Sequence, residues 1–147
     1  MASLPSAILF ACSLNSVRSP MAAAIMKYLH GQRIFVDSAG VRPGEHDPFV
    51  DAVMDEIGID LTKHRVKTFD QLDDDYFDLI ITLSPEAHHK ALEITRTMAC
   101  DVEFWPTNDA TAVDGNRETR LDAYRDVRDT LMRRITERFS RAPAADV

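Results

Sequence analysis

Cys12 and Arg18 are separated by five residues in the stretch CSLNSVRSP, and side chains of these types at this spacing can handle a phosphoryl group. A cysteine thiolate is a strong nucleophile, and a guanidinium fork clamps two oxygens of a tetrahedral oxyanion. A loop from Cys12 to Arg18, set between a strand and a helix, can curl so that its backbone N–H groups converge on one centre. The positive end of the following helix points at the same centre. That field favours the thiolate, the reactive form of cysteine. The Ser19 hydroxyl can donate a hydrogen bond to the sulfur, both before attack and when the sulfur later departs. The implied chemistry is in-line attack of Cys12 on phosphorus. Arg18 and the loop residues Ser13, Leu14, Asn15, Ser16 and Val17 would hold the equatorial oxygens. Read alone, Cys12 would be a small packed hydrophobe; its neighbours argue for chemistry.

Such a loop needs a strand before it and a helix after it, and the pattern supplies both. Ala7 to Ala11 is a short apolar run that reads as a buried strand, leaving Cys12 just past its end. Ser19 reads as an N-cap and Pro20 as the first helical residue of a segment closed by Gly31. Ile34 to Asp37 is a second strand, with the following SAG read as a turn. Asp47 and Pro48 open a helix that stops at Gly58. FDLIITL, apolar enough to be covered on both faces, is a third strand, and SPEAHHKALEIT is another capped helix. DVEFW is a fourth strand. Arg117 to Phe139 places Leu121, Tyr124, Val127, Leu131, Ile135 and Phe139 at helical spacing, and the arginines between them read as a solvated face. Alternating strands and helices predict an α/β fold of three layers. It would have a four-stranded parallel sheet with right-handed crossovers, helices on both faces, and the Cys-x5-Arg loop after the first strand. Ligands of such sheets bind beyond the carboxyl ends of the strands, where Cys12 lies.

The composition bounds the rest. The 147 residues suit one domain, expected over residues 1–140 with a disordered tail over 141–147. A net charge of −7 argues against nucleic-acid partners and against anionic membranes. Two distant cysteines make no disulfide framework, and no signal peptide or transmembrane run is legible; a cytoplasmic protein is expected. His88 and His89 are adjacent and so diverge on a helix, where metal ligands would sit four apart; no metal and no cofactor are expected.

At these residues the sequence resembles the low-molecular-weight protein tyrosine phosphatases, whose signature Cys-x5-Arg-Ser-Pro is matched at Cys12, Asn15, Arg18, Ser19 and Pro20. VDSAG, GIDLTKHRVK and FDLIITL resemble further family segments, so the likeness extends over nearly the whole chain. It implies that Asn15, Ser38 and His64 form a hydrogen-bonded set around the loop. It also implies an acid for the departing oxygen, an Asp-Pro in the loop after the fourth strand. In FWPTNDATAVDG, Asp109 is the better match, with Ala110 in place of proline, and Asp114 is its rival.

The departures bear on the substrate, expected to be a phosphorylated protein or a small phosphomonoester. Leu14 stands where the family usually has glycine, so less backbone freedom is expected there. Val17 stands where a second cysteine is common. Ala110 and Thr111 replace the aromatic pair that packs against phosphotyrosine. At Ser16, relatives acting on phosphoarginine carry threonine and arsenate reductases often carry serine. Phosphomonoester hydrolysis through a cysteinyl-phosphate is the leading expectation. Phosphoarginine hydrolysis and arsenate reduction are its alternatives, and a non-catalytic phosphate-binding module is a third. Reduction would need thiols that the chain lacks beside the loop, with Cys100 its one spare.

Overall fold

Ala7–Cys12 forms the first strand, β1, and every residue in it is buried. That requires cover on both faces and neighbours on both edges, which a parallel sheet provides. The computed structural model describes residues 4–73 and 76–139, and the expected tail at 141–147 lies outside them. Along the chain, β1 is followed by α1 (Arg18–His30), β2 (Phe35–Gly40), α2 (Pro48–Asp55), β3 (Leu79–Thr82), α3 (Pro85–Ile94), β4 (Asp101–Phe104) and α4 (Arg117–Arg138). The four strands are parallel, in the order β2-β1-β3-β4. The strand order reverses at β1, so the loop leaving β1 opens at the switch point.

Alternation along β1 sorts the core. Ile8, Phe10 and Cys12 face the larger cluster, with Met21, Ile25 and Met26 of α1, Val53 and Met54 of α2, and Leu131 and Ile135 of α4. Ala7 and Leu9 face the smaller cluster, which includes Ala91 of α3. Fully burying one such aliphatic or aromatic side chain contributes about 1.5–3 kcal/mol. Three layers result, as the alternation of elements predicts.

Four local expectations need correction. SAG is not a turn: β2 runs through Gly40, with Ser38, Ala39 and Gly40 paired to Phe10, Ala11 and Cys12. Its glycine meets a close approach instead, since a Cβ on Gly40 would come 2.7 Å from the Leu14 carbonyl carbon and 2.8 Å from Asn15 N. Cys12 is the last residue of β1 rather than the first beyond it. Ser19 is not the N-cap of α1, which starts at Arg18 after Val17. Pro20 is tolerated at the third position because first-turn N–H groups have no intrahelical partner. On α4, Arg128 departs from the solvated face: it is buried, with Nη1 donating to Val53 O and Glu56 Oε1 and Nε donating to Asp129.

Candidate active site

Between Cys12 and α1 the chain turns through Ser13–Val17, and Asn15 takes a φ of +59°, the left-handed region. Among the described residues it is the one non-glycine residue to do so. Asparagine tolerates this conformation better than most residues. Its fully buried side chain then secures the turn. Nδ2 donates to Ser19 Oγ and to Ser38 Oγ, each at 2.9 Å, and Oδ1 accepts the Lys67 N–H at 3.0 Å. His64 Nε2 lies 3.0 Å from the Asn15 carbonyl oxygen. A carbonyl can only accept, so Nε2 carries the proton. Asn15, Ser38 and His64 are therefore brought together, as the resemblance implied. Burial holds the His64 imidazole below its usual pKa; the bond to Asn15 opposes this, while Lys67, His46 and Lys27 reinforce it.

The Cys12 sulfur faces two donors. Ser19 Oγ lies 2.9 Å away and the Ser19 N–H points to it at 3.4 Å. Either Sγ or Oγ can donate while the sulfur is a thiol; a thiolate can only accept, which fixes the direction. α1 lacks a side-chain cap because its N-cap is Val17, whose side chain has no acceptor, while the Ser19 hydroxyl, in the first turn of the helix, serves the sulfur. Asp47, Ser84 and Asn116 cap α2, α3 and α4 with side-chain bonds, whereas α1 has no side-chain cap. The positive end of α1 is thus left facing the loop. The backbone N–H groups of Ser13–Val17 make no hydrogen bond to an acceptor among the described residues. Such a set of donors suits a tetrahedral oxyanion.

A cleft of about 170 Å³ opens over the loop, lined by Cys12, Ser13, Leu14, Ser16, Val17 and Arg18, and across from them by Arg42, Asp109 and Thr111. Asp109 lines it and Asp114 does not. One carboxylate oxygen of Asp109 accepts from Thr111 N at 3.0 Å and Oγ1 at 2.6 Å, holding the side chain at the start of a short 3-10 turn, Ala110–Ala112. Arg18 Nη1 donates to the Thr107 carbonyl at 3.1 Å, which ties the guanidinium to the segment that carries Asp109. Leu14 needs no glycine-like freedom, since its φ is not positive, and its side chain is 38% exposed at the rim. None of the lining residues is aromatic.

Sequence reasoning missed Arg42 and Glu86. Arg42 forks onto Glu86 through Nε at 2.9 Å and Nη2 at 2.8 Å, and this guanidinium holds the Glu86 carboxyl below the usual carboxylate range, with Ser13 assisting. Neither residue belongs to a local motif; the register of β2 against β1 and the cap of α3 bring them to the rim. Cys100 lies far from Cys12. Asp101 pairs with Leu79 and Leu79 with Ile8, so Cys100 sits near the amino end of the sheet. Cys12 is at the carboxyl end, about 16 Å further along the strand direction at about 3.3 Å per residue. A disulfide needs Cα atoms within about 7 Å.

A sequence model described as low molecular weight phosphotyrosine protein phosphatase matches residues 7–141. An arsenate reductase of Halalkalibacterium halodurans is 32% identical over 130 residues, covering 87% of this chain and 91% of the relative. Among solved structures, an arsenate reductase of Archaeoglobus fulgidus superposes with a TM-score of 0.72 at 25% identity, over 91% of this chain and 99% of the other. A tyrosine phosphatase of Erwinia amylovora shares the fold with a TM-score of 0.72 at 20% identity, over 95% and 96%.

Proposed function

The chain belongs to the low molecular weight phosphotyrosine protein phosphatase family, and from that premise we propose that it hydrolyses phosphomonoesters through a cysteinyl-phosphate intermediate on Cys12. The observation that carries the reading is the sulfur held by two Ser19 donors at the floor of a cleft shared with Arg18 and Asp109. In the first step the Cys12 thiolate attacks phosphorus, the bond to the leaving oxygen breaks, and Asp109 gives that oxygen its proton. Arg18 and the loop N–H groups of Ser13–Val17 stabilise the equatorial oxygens as charge develops. In the second step the Asp109 carboxylate takes a proton from water as it attacks phosphorus. Phosphate leaves, and the sulfur departs as a thiolate stabilised by the Ser19 hydroxyl. The Asn15 side chain, Ser38 and His64 position the loop without touching the substrate. The absence of an aromatic wall favours a phosphorylated protein or small phosphomonoester whose leaving group needs no ring stacking.

Arsenate reduction is the second reading, and the activity named for relatives at 31–32% identity supports it. The same cleft suits arsenate, which has the shape and charge of phosphate. The place of Cys100 in the sheet leaves no second thiol for Cys12 among the described residues, so both electrons would have to come from two external thiols or one dithiol, which leave as a disulfide. An assay of the purified protein separates the readings. The substrates are p-nitrophenyl phosphate, phosphotyrosine, phosphoarginine, and arsenate with glutathione or a dithiol donor. Phosphate release that is blocked by vanadate and lost in Cys12→Ser supports hydrolysis. Arsenite formation without phosphate release overturns it.

A further inference from the structure

The turn at Asn15 has a second open side. A pocket of about 520 Å³, sharing no lining residue with the cleft over Cys12, is bordered by Lys27, Lys63, Lys67, His64, Asp37 and Asp60. Its walls carry three lysines against two carboxylates, in a protein whose net charge is −7. Both carboxylates are engaged locally. Asp37 Oδ1 accepts the Ser38 N–H at 2.8 Å and pairs with Lys67 Nζ at 2.6 Å, and Asp60 Oδ1 accepts both donors of Thr62. Lys27, exposed on α1, has no acidic partner among the described residues. Lys67 and Lys27 both act on the half-buried His64, helping to hold its imidazole below the usual value.

Two residues of this wall reach through to the loop. The Lys67 N–H holds Asn15 Oδ1, and His64 Nε2 holds the Asn15 carbonyl. Whatever engages the Lys67 ammonium competes with Asp37, and so bears on the strand residue next to Ser38 and on the segment that fixes Asn15. We propose that this pocket binds a small multivalent anion, a metabolite carrying several carboxylate or phosphoryl oxygens, which adjusts the catalytic loop from behind. The pocket has about three times the volume of the cleft, so it suits an organic anion larger than inorganic phosphate. The regulatory half of the proposal rests on the phosphatase reading; the binding half does not.

The test follows the backbone amides of Lys67 and Asn15 by NMR in the full chain. Orthovanadate is kept in excess so that oxyanion binding at the Cys12 loop is saturated, and citrate or non-hydrolysable phosphonoacetate is titrated in. The expected result is saturable shifts at Lys67, His64 and Asn15. Lys27→Ala/Lys63→Ala should weaken them about tenfold, and Lys90→Ala on α3 should leave them unchanged. The tighter of the two probes then tells whether carboxylates or phosphoryl groups are preferred. Shifts that do not saturate, that persist in the double variant, or that are confined to Ser13–Arg18 overturn the proposal. Lys27 and Lys63 are exposed, so the double variant retains the core. The readout needs no turnover, so failure of the phosphatase reading leaves it intact. With turnover present, citrate should change kcat/KM for p-nitrophenyl phosphate in the wild type and not in the double variant.

Discussion

Ser19 Oγ lies 2.9 Å from the Cys12 sulfur, and the Asn15 amide donates to the same oxygen at the same distance. The amide occupies one lone pair of the hydroxyl and leaves its proton for a thiolate, so the loop turn and the nucleophile are linked through one atom. A hydrogen bond to a charged group contributes about 1.5–3 kcal/mol. Ser19→Ala should therefore slow hydrolysis by about 10- to 100-fold. The loss should be largest in the second step, where the sulfur leaves. Pre-steady-state kinetics with p-nitrophenyl phosphate would then show a larger burst relative to the steady rate. An unchanged steady rate would remove Ser19 from the mechanism.

Asp109 and Asp114 are separated by their places rather than by their types. Asp109→Asn should lower kcat by about 10²–10⁴-fold, and Asp114→Asn should leave it near the wild-type value. The opposite ranking of the two variants would move the acid to Asp114.

Gly40 lies against the loop backbone, not against a movable side chain. A Cβ there would come 2.7 Å from the Leu14 carbonyl carbon and 2.8 Å from Asn15 N. Gly40→Ala should cost about 1–3 kcal/mol, read as a lower urea midpoint with an unchanged slope. Activity should fall with it, because relief of the clash displaces Leu14 and Asn15. Wild-type stability in this variant would show that β2 does not press on the loop.

His64 is held neutral by burial, and the sign of its pH effect follows. Its folded pKa lies below the usual value of about 6.5. In the window just beneath that value the unfolded chain binds more protons than the folded one, so stability should rise with pH there. Acidification through the folded value protonates the ring and removes this contribution. NMR titration of the His64 ring should give a midpoint below the ordinary histidine value of about 6.5. A midpoint above it would contradict the neutral, Nε2-protonated ring.

The site was legible in the sequence where its parts are local. Cys12, Arg18 and Ser19 fall within one short stretch, and the strand and helix on either side follow from hydrophobic period and breakers. That Asn15, Ser38 and His64 form one set came only through the family resemblance, because nothing in the local sequence links them. Arg42, Glu86, the Thr107 carbonyl and the Lys67 N–H were not legible at all: each reaches the loop through sheet register or a long connection. Ser19 was misread as a cap because serine before proline is a common helix start, and a sulfur claimed its hydroxyl instead. SAG looked like a turn because small residues also serve close packing, which only the partner strand reveals.

The central claim is that the Cys12 sulfur becomes covalently bonded to the transferred phosphorus. Rapid acid quench of wild type and Asp109→Ala with p-nitrophenyl phosphate, followed by peptide mass spectrometry, reads this directly. A phosphoryl adduct on the Cys12 peptide, formed within one turnover and absent from Cys12→Ser, is the predicted result. Hydrolysis at an undiminished rate in Cys12→Ser, with no adduct at any time in the wild type, would contradict it.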